Sequence, residues 1–243
     1  MRECTAQERA VETANKNAGT TVDDCECVQL DPCDEIKKQL EDPRFVEKLE
    51  ELTKPALLDK NEETGYWWDN NGDPHLMEAT ENNSVLLPQD RSSLLAIDHV
   101  HNNVREATEQ SVQFNFTMPS VDDIWLTYYL AQNAQSNNND PNETYISVIN
   151  SFGYFQLRFT GNIEDLNRGV VNERFGKIVN KDNKDLFKKI NGDNLNKISA
   201  FLNFLKDLNI SDLDLYIIQE DAIGKLALDP NDPTKIIITP CNE

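Results

Sequence analysis

The sequence predicts an α/β fold, and three observations carry that prediction. Apolar residues recur at helical spacing in an early stretch, at Ile36, Leu40, Phe45, Leu49 and Leu52. Short runs rich in aromatic and β-branched residues, at 65–68, 93–101 and 144–160, alternate with helix-like stretches instead of gathering at one end. Three more such runs, at 213–218, 225–228 and 235–239, close the chain after a long helical stretch.

Residues 1–32 read as a polar tail and 33–243 as one domain. From Asp34 the pattern is helical. Asp42-Pro43 interrupts it and starts a second helix with Pro43 in its first position, where a missing N–H costs nothing; Pro55 ends that helix. The strand at 65–68 runs into Asp69-Asn70-Asn71-Gly72-Asp73, and Asn-Gly is a hairpin signal because tight hairpin turns need positive φ. Asp69, Asn71 and Asp73 also suggest a calcium loop. Pro74 stands where that loop needs glycine and Thr80 where it needs glutamate, so a turn is expected.

The run 93–101 is expected to be a buried strand with Leu95, Ile97, His99 and His101 on one face. Residues 102–117 lack strong periodicity and read as a long loop, the kind that is functional or mobile inside a compact domain. Pro119-Ser120 opens a helix carrying Ile124, Trp125, Tyr128, Tyr129 and Leu130, and 133–142 reads as an Asn-rich surface loop. The runs 144–150 and 152–160 make a hairpin, and 163–208 is mostly helical with a break near Asn191-Gly192-Asp193.

A formal net charge of −20 repels phosphate backbones, so no nucleic-acid partner is expected. No apolar run approaches the roughly 20 residues that cross a bilayer. Met1-Arg2-Glu3-Cys4 leads into Gln, Glu and Arg, unlike a signal peptide, which leaves the compartment open. Four of the five cysteines, Cys4, Cys25, Cys27 and Cys33, precede the apparent core, and Cys241 follows it. An odd count argues against a complete disulfide framework. Tail thiols or one tethering disulfide are expected, since Cys25-Glu26-Cys27 with Cys33 lacks the paired spacing of a zinc ribbon.

Chemistry concentrates in His99-Val100-His101 and Ser120-Val121-Asp122-Asp123. Period-two geometry points both imidazoles the same way, about 7 Å apart along an ideal strand. With the Asp123 carboxylate they supply the three protein ligands of a catalytic zinc site, which keeps its fourth position for water. An ion so held lowers the pKa of its water toward about 7 and polarises a carbonyl oxygen. A carboxylate must then carry the proton to the leaving amine, and Glu63 or its neighbour Glu62 is the candidate. Ser120 can donate a hydrogen bond to the oxyanion.

Each piece has a plainer role as well. Ser120-x-x-Asp123 has the form of a capping box, and Asp122 suits the helix dipole. His99 and His101 alone are ordinary strand histidines, Glu63 alone a solvated loop residue, and His75 an exposed residue past the turn. Tyr66, Trp67 and Trp125 are expected in the core.

The order glutamate, His-x-His, Ser-x-x-Asp resembles the JAMM metalloprotease family, also called JAB/MPN. The resemblance puts Glu63 at the acid/base position, His99, His101 and Asp123 at the zinc ligands, and Ser120 at the oxyanion-side serine. More closely, the chain is similar to a divergent JAMM-like group met in Bacteroidetes, with its Glu-x-Gly-Tyr strand and an aromatic hairpin ending Phe159-Thr160-Gly161-Asn162. The likeness covers residues 33–241 and is strongest over 63–162. It implies an α/β fold related to cytidine deaminases: a mixed β-sheet flanked by helices, here with a C-terminal helical and β extension. It also implies Zn2+ as cofactor and a peptide or protein as substrate.

Three departures from the family pattern stand out. The stretch between His101 and Ser120 is longer than usual. Val100 and Asn102 replace the common Ser or Thr and Pro. Glu62 fits the usual distance to glycine, whereas Glu63 fits the divergent group. The expectation is a zinc-dependent peptidase or isopeptidase, with a non-catalytic JAMM-like binding or scaffold module as its rival. Zinc deaminases need His-x-Glu with Cys-x-x-Cys, and neither occurs. Hydrolase elbow, P-loop and dinucleotide fingerprints are also missing from a chain with nine glycines.

Overall fold

The structure, a computed structural model, describes residues 31–60, 62–79, 84–101, 118–162, 166, 171–173, 176, 194–219 and 222–241. Three helices open this part of the chain, α1 (Pro32–Glu41), α2 (Pro43–Leu52) and the single turn α3 (Pro55–Leu58). Each begins with proline, whose fixed φ suits the first helical position. Asp31 caps α1 by accepting from the Cys33 N–H at 2.9 Å, and Asp42 caps α2 by accepting from Arg44 N–H at 2.8 Å. Pro55 therefore ends α2, as expected, and also starts a further turn.

Eight strands follow: β1 (Gly65–Asp69), β2 (Pro74–Met77), β3 (Leu94–Val100), β4 (Tyr145–Asn150), β5 (Gly153–Phe159), β6 (Leu213–Gln219), β7 (Ala222–Asp229) and β8 (Asp232–Pro240). They form one mixed sheet in the order β2-β1-β3-β4-β5-β6-β7-β8. Among the described residues only β3 and β4 pair in parallel; the other neighbours are antiparallel. The closing strands prolong the same sheet past β5, so the C-terminal part adds width without adding a layer.

A parallel pair needs a crossover connection. Here it contains α4 (Val121–Ser136) and a 3-10 turn, Pro141–Glu143. A last helix, α5 (Asn194–Asp207), precedes β6. Alternation along the strands sorts the core into two faces. Ile36, Phe45 and Leu52 from α1 and α2 pack with Tyr66, Trp68, Ala96, Val100 and Ile149 on one side. On the other, Ile124, Tyr128 and Ala131 of α4 and Phe201, Phe204 and Leu205 of α5 meet Phe155, Leu157 and Phe159 of β5. The molecule is thus α/β, with helices on both faces of its sheet. No helix among the described residues is long and apolar enough to cross a membrane.

Several local expectations are refined. Asn71-Gly72 does turn a hairpin: Gly72 has φ +76°, and the Asp69 carboxylate accepts the Asn71 and Asp73 N–H groups at 2.8 and 3.0 Å. The expected loop at 133–142 is shorter, because α4 continues to Ser136. Asn133 stays helical by donating from Nδ2 to the carbonyls of Arg91 and Leu94, at 2.6 and 3.0 Å. Asn138 then adopts φ 60°, a left-handed conformation that asparagine tolerates at helix ends. Cys33 and Cys241 form a disulfide joining α1 to the end of β8, and both pack against the α1–α2 core. The tail thiols Cys4, Cys25 and Cys27, the loop at 102–117 and most of the stretch at 163–193 lie outside the described residues.

Candidate metal centre

In α/β sheets, ligand sites form beyond the carboxyl ends of parallel strands, where the following helix presents its N-terminus. The β3–α4–β4 unit obeys that rule. β3 delivers His99 near its end, and His101 follows directly, its N–H bonded to the Ile149 carbonyl at 2.8 Å. The first turn of α4 delivers Asp123. All three residues are buried.

Their ligand atoms converge. His99 Nε2 lies 3.0 Å from His101 Nε2, Asp123 Oδ1 lies 3.3 Å from His99 Nε2, and Asp123 Oδ2 lies 3.5 Å from His101 Nε2. The two rings meet edge to face, 73° apart, so their Nε2 atoms reach a common point from different directions. These three residues could hold a metal ion.

The Asp123 carboxylate has two functions in one group. Its Oδ2 accepts the Ser120 N–H at 2.5 Å, while Ser120 Oγ accepts the Asp123 N–H at 3.2 Å. That reciprocal pair is the capping box expected from Ser-x-x-Asp. The capping carboxylate is thus also one of the three groups that could hold a metal ion.

Electrostatics favour the ligand forms. Burial pushes the Asp123 carboxyl up, but the facing imidazoles and the Ser120 hydrogen bond outweigh it and hold the group well below the usual carboxylate range. Burial pushes His99 down, against the raising influence of Asp123 and Glu63, which favours the neutral form of the ring. Buried Nδ1 of His99 has no hydrogen-bond partner among the described residues, and the Ser147 backbone acts on the ring in the raising direction.

Of the two upstream glutamates, Glu63 is buried and Glu62 exposed. Glu63 lines the same cavity, of about 400 Å³, as His99, His101, Ser120 and Asp123. It is held there by strand pairing. Thr64 accepts the Val100 N–H at 2.9 Å, and Gly65 sits directly opposite His99. A Cβ on Gly65 would meet the Asp98 carbonyl, and His99 Cβ at 2.8 Å, so only glycine lets β1 approach this closely.

Some cavity residues are not legible in the sequence. Val85 and Leu87 form part of the wall, on a segment pinned by the Ala79–Val85 bridge and by Leu86 N–H to Glu78 carbonyl at 2.8 Å. Trp125, expected in the core, is half-buried and faces the cavity, stacked on Tyr129 with centroids 5.5 Å apart. Tyr66 is buried as expected, whereas Trp67 is half-buried and stacks on His75 at 4.0 Å.

Behind the histidines lies another buried carboxylate, Asp98, on the opposite face of β3. Trp68 Nε1–H donates to it at 2.5 Å, Tyr154 Oη–H at 3.1 Å and Tyr145 Oη–H at 3.4 Å. Burial still pushes its carboxyl up against these donors. Its signal in the sequence is an acid between Ile97 and His99 inside an otherwise apolar strand. Comparison of the chain with protein-family models, with characterised proteins and with solved structures gives no match.

Proposed function

We propose that the chain is a zinc-dependent peptidase or isopeptidase of JAMM-like type. The observation that carries this reading is the convergence of two buried imidazole nitrogens and one carboxylate. A tetrahedral ion with bonds of about 2.0–2.1 Å places its ligand atoms about 3.3–3.4 Å apart. Here the two imidazole nitrogens lie 3.0 Å apart, Asp123 Oδ1 lies 3.3 Å from His99 Nε2, and Oδ2 of the same carboxylate lies 3.5 Å from His101 Nε2. Two imidazole nitrogens and one carboxylate are also a donor set suited to zinc.

When bound, the ion supplies Lewis acidity, making a neutral-pH water nucleophilic and a carbonyl electrophilic. The remaining work falls to the chain. His99, His101 and Asp123 fix the position of the charge. Glu63 takes a proton from the attacking water as the new C–O bond forms, and returns it to the leaving nitrogen as the C–N bond breaks. Ser120, its Oγ accepting from the Asp123 N–H, keeps its own O–H to donate to the carbonyl oxygen as charge builds there.

Metal analysis of the purified protein tests this, paired with hydrolysis of a mixed peptide library. One zinc per chain, with cleavage lost in Glu63→Gln but zinc retained, is the expected result. Zinc retained with no cleavage by the unaltered chain would leave the non-catalytic binding module as the better reading. Failure to bind any divalent metal at these residues would end the peptidase reading and leave the binding module.

A further inference from the structure

We propose that the cavity beside the metal cluster selects peptides carrying a bulky apolar residue next to a basic one. This rests on the peptidase reading and names its substrate class. Asp122, Trp125 and Leu126 stand at i, i+3 and i+4 on α4 and therefore share one helix face, and all three line the cavity. Val85 and Leu87 line it from the segment before β3. The result is a groove with apolar side chains on both walls and a carboxylate at its rim.

The walls are set in advance. Leu126, Val85 and Leu87 are partly buried against the small core formed by Met77, Leu94, Ile97, Leu130 and Ile146. Trp125 is held flat on Tyr129, 24° from parallel. An apolar side chain entering here covers surface that is already ordered, so binding it costs little conformational entropy.

The rim settles the neighbouring residue. Asp122 is exposed and makes no ion pair or hydrogen bond among the described residues, whereas Asp123 next to it is buried and turned to the histidines. Glu63 adds a second carboxylate, and no lysine or arginine among the described residues lines the cavity. With a chain charge of −20 behind it, the groove favours a cationic neighbour and repels an acidic one.

Calorimetric titration of Glu63→Gln protein, with and without zinc, tests the proposal using three matched eight-residue peptides that hold Leu-Lys, Leu-Glu or Ser-Lys at the centre. Leu-Lys should bind about threefold to fivefold tighter than Leu-Glu, the worth of one exposed ion pair. Asp122→Lys should abolish or invert that ratio, and Trp125→Ala should weaken both Leu peptides about tenfold while sparing Ser-Lys. Equal affinities for Leu-Lys and Leu-Glu, an unchanged ratio in Asp122→Lys, or no binding of any peptide would overturn it. Zinc content is read on the same samples. A preserved charge preference in protein that takes up no zinc would sink the catalytic reading and leave the groove assignment standing.

Discussion

The Ser120 N–H donates to Asp123 Oδ2 at 2.5 Å, and this bond holds a capping carboxylate beside the two histidines. One oxygen is anchored at the start of α4 while the other faces His99 at 3.3 Å. A carboxylate held by backbone loses little rotamer freedom when a cation arrives, as at other sites whose ligands are fixed by outer partners.

Substitutions should separate the two functions of that carboxylate. Asp123→Asn removes the charge and should lower zinc affinity by more than about 100-fold, beyond the range of outer-partner changes. Ser120→Ala keeps the backbone N–H and should hold zinc, yet lose about 1 kcal/mol of stability with its cap. Chelator competition reads the first and denaturant unfolding the second. Zinc binding by Asp123→Asn at the unaltered affinity would remove Asp123 from the ligand set.

Acid stability should report on the β1–β2 turn. Burial pushes the Asp69 carboxyl up, but the Asp73 and Asn71 N–H groups and His75 outweigh it and leave the group below its ordinary value. A depressed carboxyl contributes stability that is present above its unfolded value, about 3.9, and lost as pH falls through the lower folded value. The stability difference between the unaltered chain and Asp69→Asn should therefore shrink as pH falls from 5 toward 3 (about one unit either side of that unfolded value). Urea unfolding at stepped pH measures it; a difference independent of pH counts against the assigned role. Added calcium should leave both proteins unchanged, because Asp69 spends its Oδ1 on the turn.

Much of this was legible where a local rule and a long-range need agree. Pro43 starts a helix, Asn71-Gly72 turns a hairpin, and period-two alternation puts His99 and His101 on one face. At 133–136 the asparagine composition suggests a loop, whereas Asn133 is satisfied by carbonyls some 40 positions earlier, at Arg91 and Leu94. Trp125 differs from expectation for a related reason: helical spacing marks it as apolar but does not reveal that its face borders a cavity. Val85, Leu87 and the donors around Asp98 come from separate strands and segments, and no local pattern announces them.

The Cys33–Cys241 bridge closes a loop with a sequence separation of 208 residues. Cross-linking so long a loop restricts the unfolded chain strongly, and loss of such a bond costs about 2–5 kcal/mol. Cys241→Ser, or reduction of the unaltered chain, should lower unfolding stability by that amount. Zinc affinity should not move, since the bridge joins α1 to β8 and touches no cluster residue. Equal stability with and without reductant would mean that the thiols are free in solution.

The last expectation concerns β1. Gly65 lies opposite His99, and an added methyl would press on the Asp98 carbonyl and on His99 itself. Gly65→Ala must therefore push β1 from β3 beside the His99–His101–Asp123 cluster, with an overpacking cost of about 1–3 kcal/mol. It should also weaken zinc binding, because the shift displaces His99 and draws Glu63 away from the cavity. Gly224→Ala is the control. Its methyl meets Ile238 Cγ2 at 2.5 Å on an edge strand, a side chain that is 55% exposed and able to turn aside. That variant should lose less stability and keep full zinc affinity. If both alanine variants bound zinc equally well, close approach of β1 would not be what holds the cluster in register.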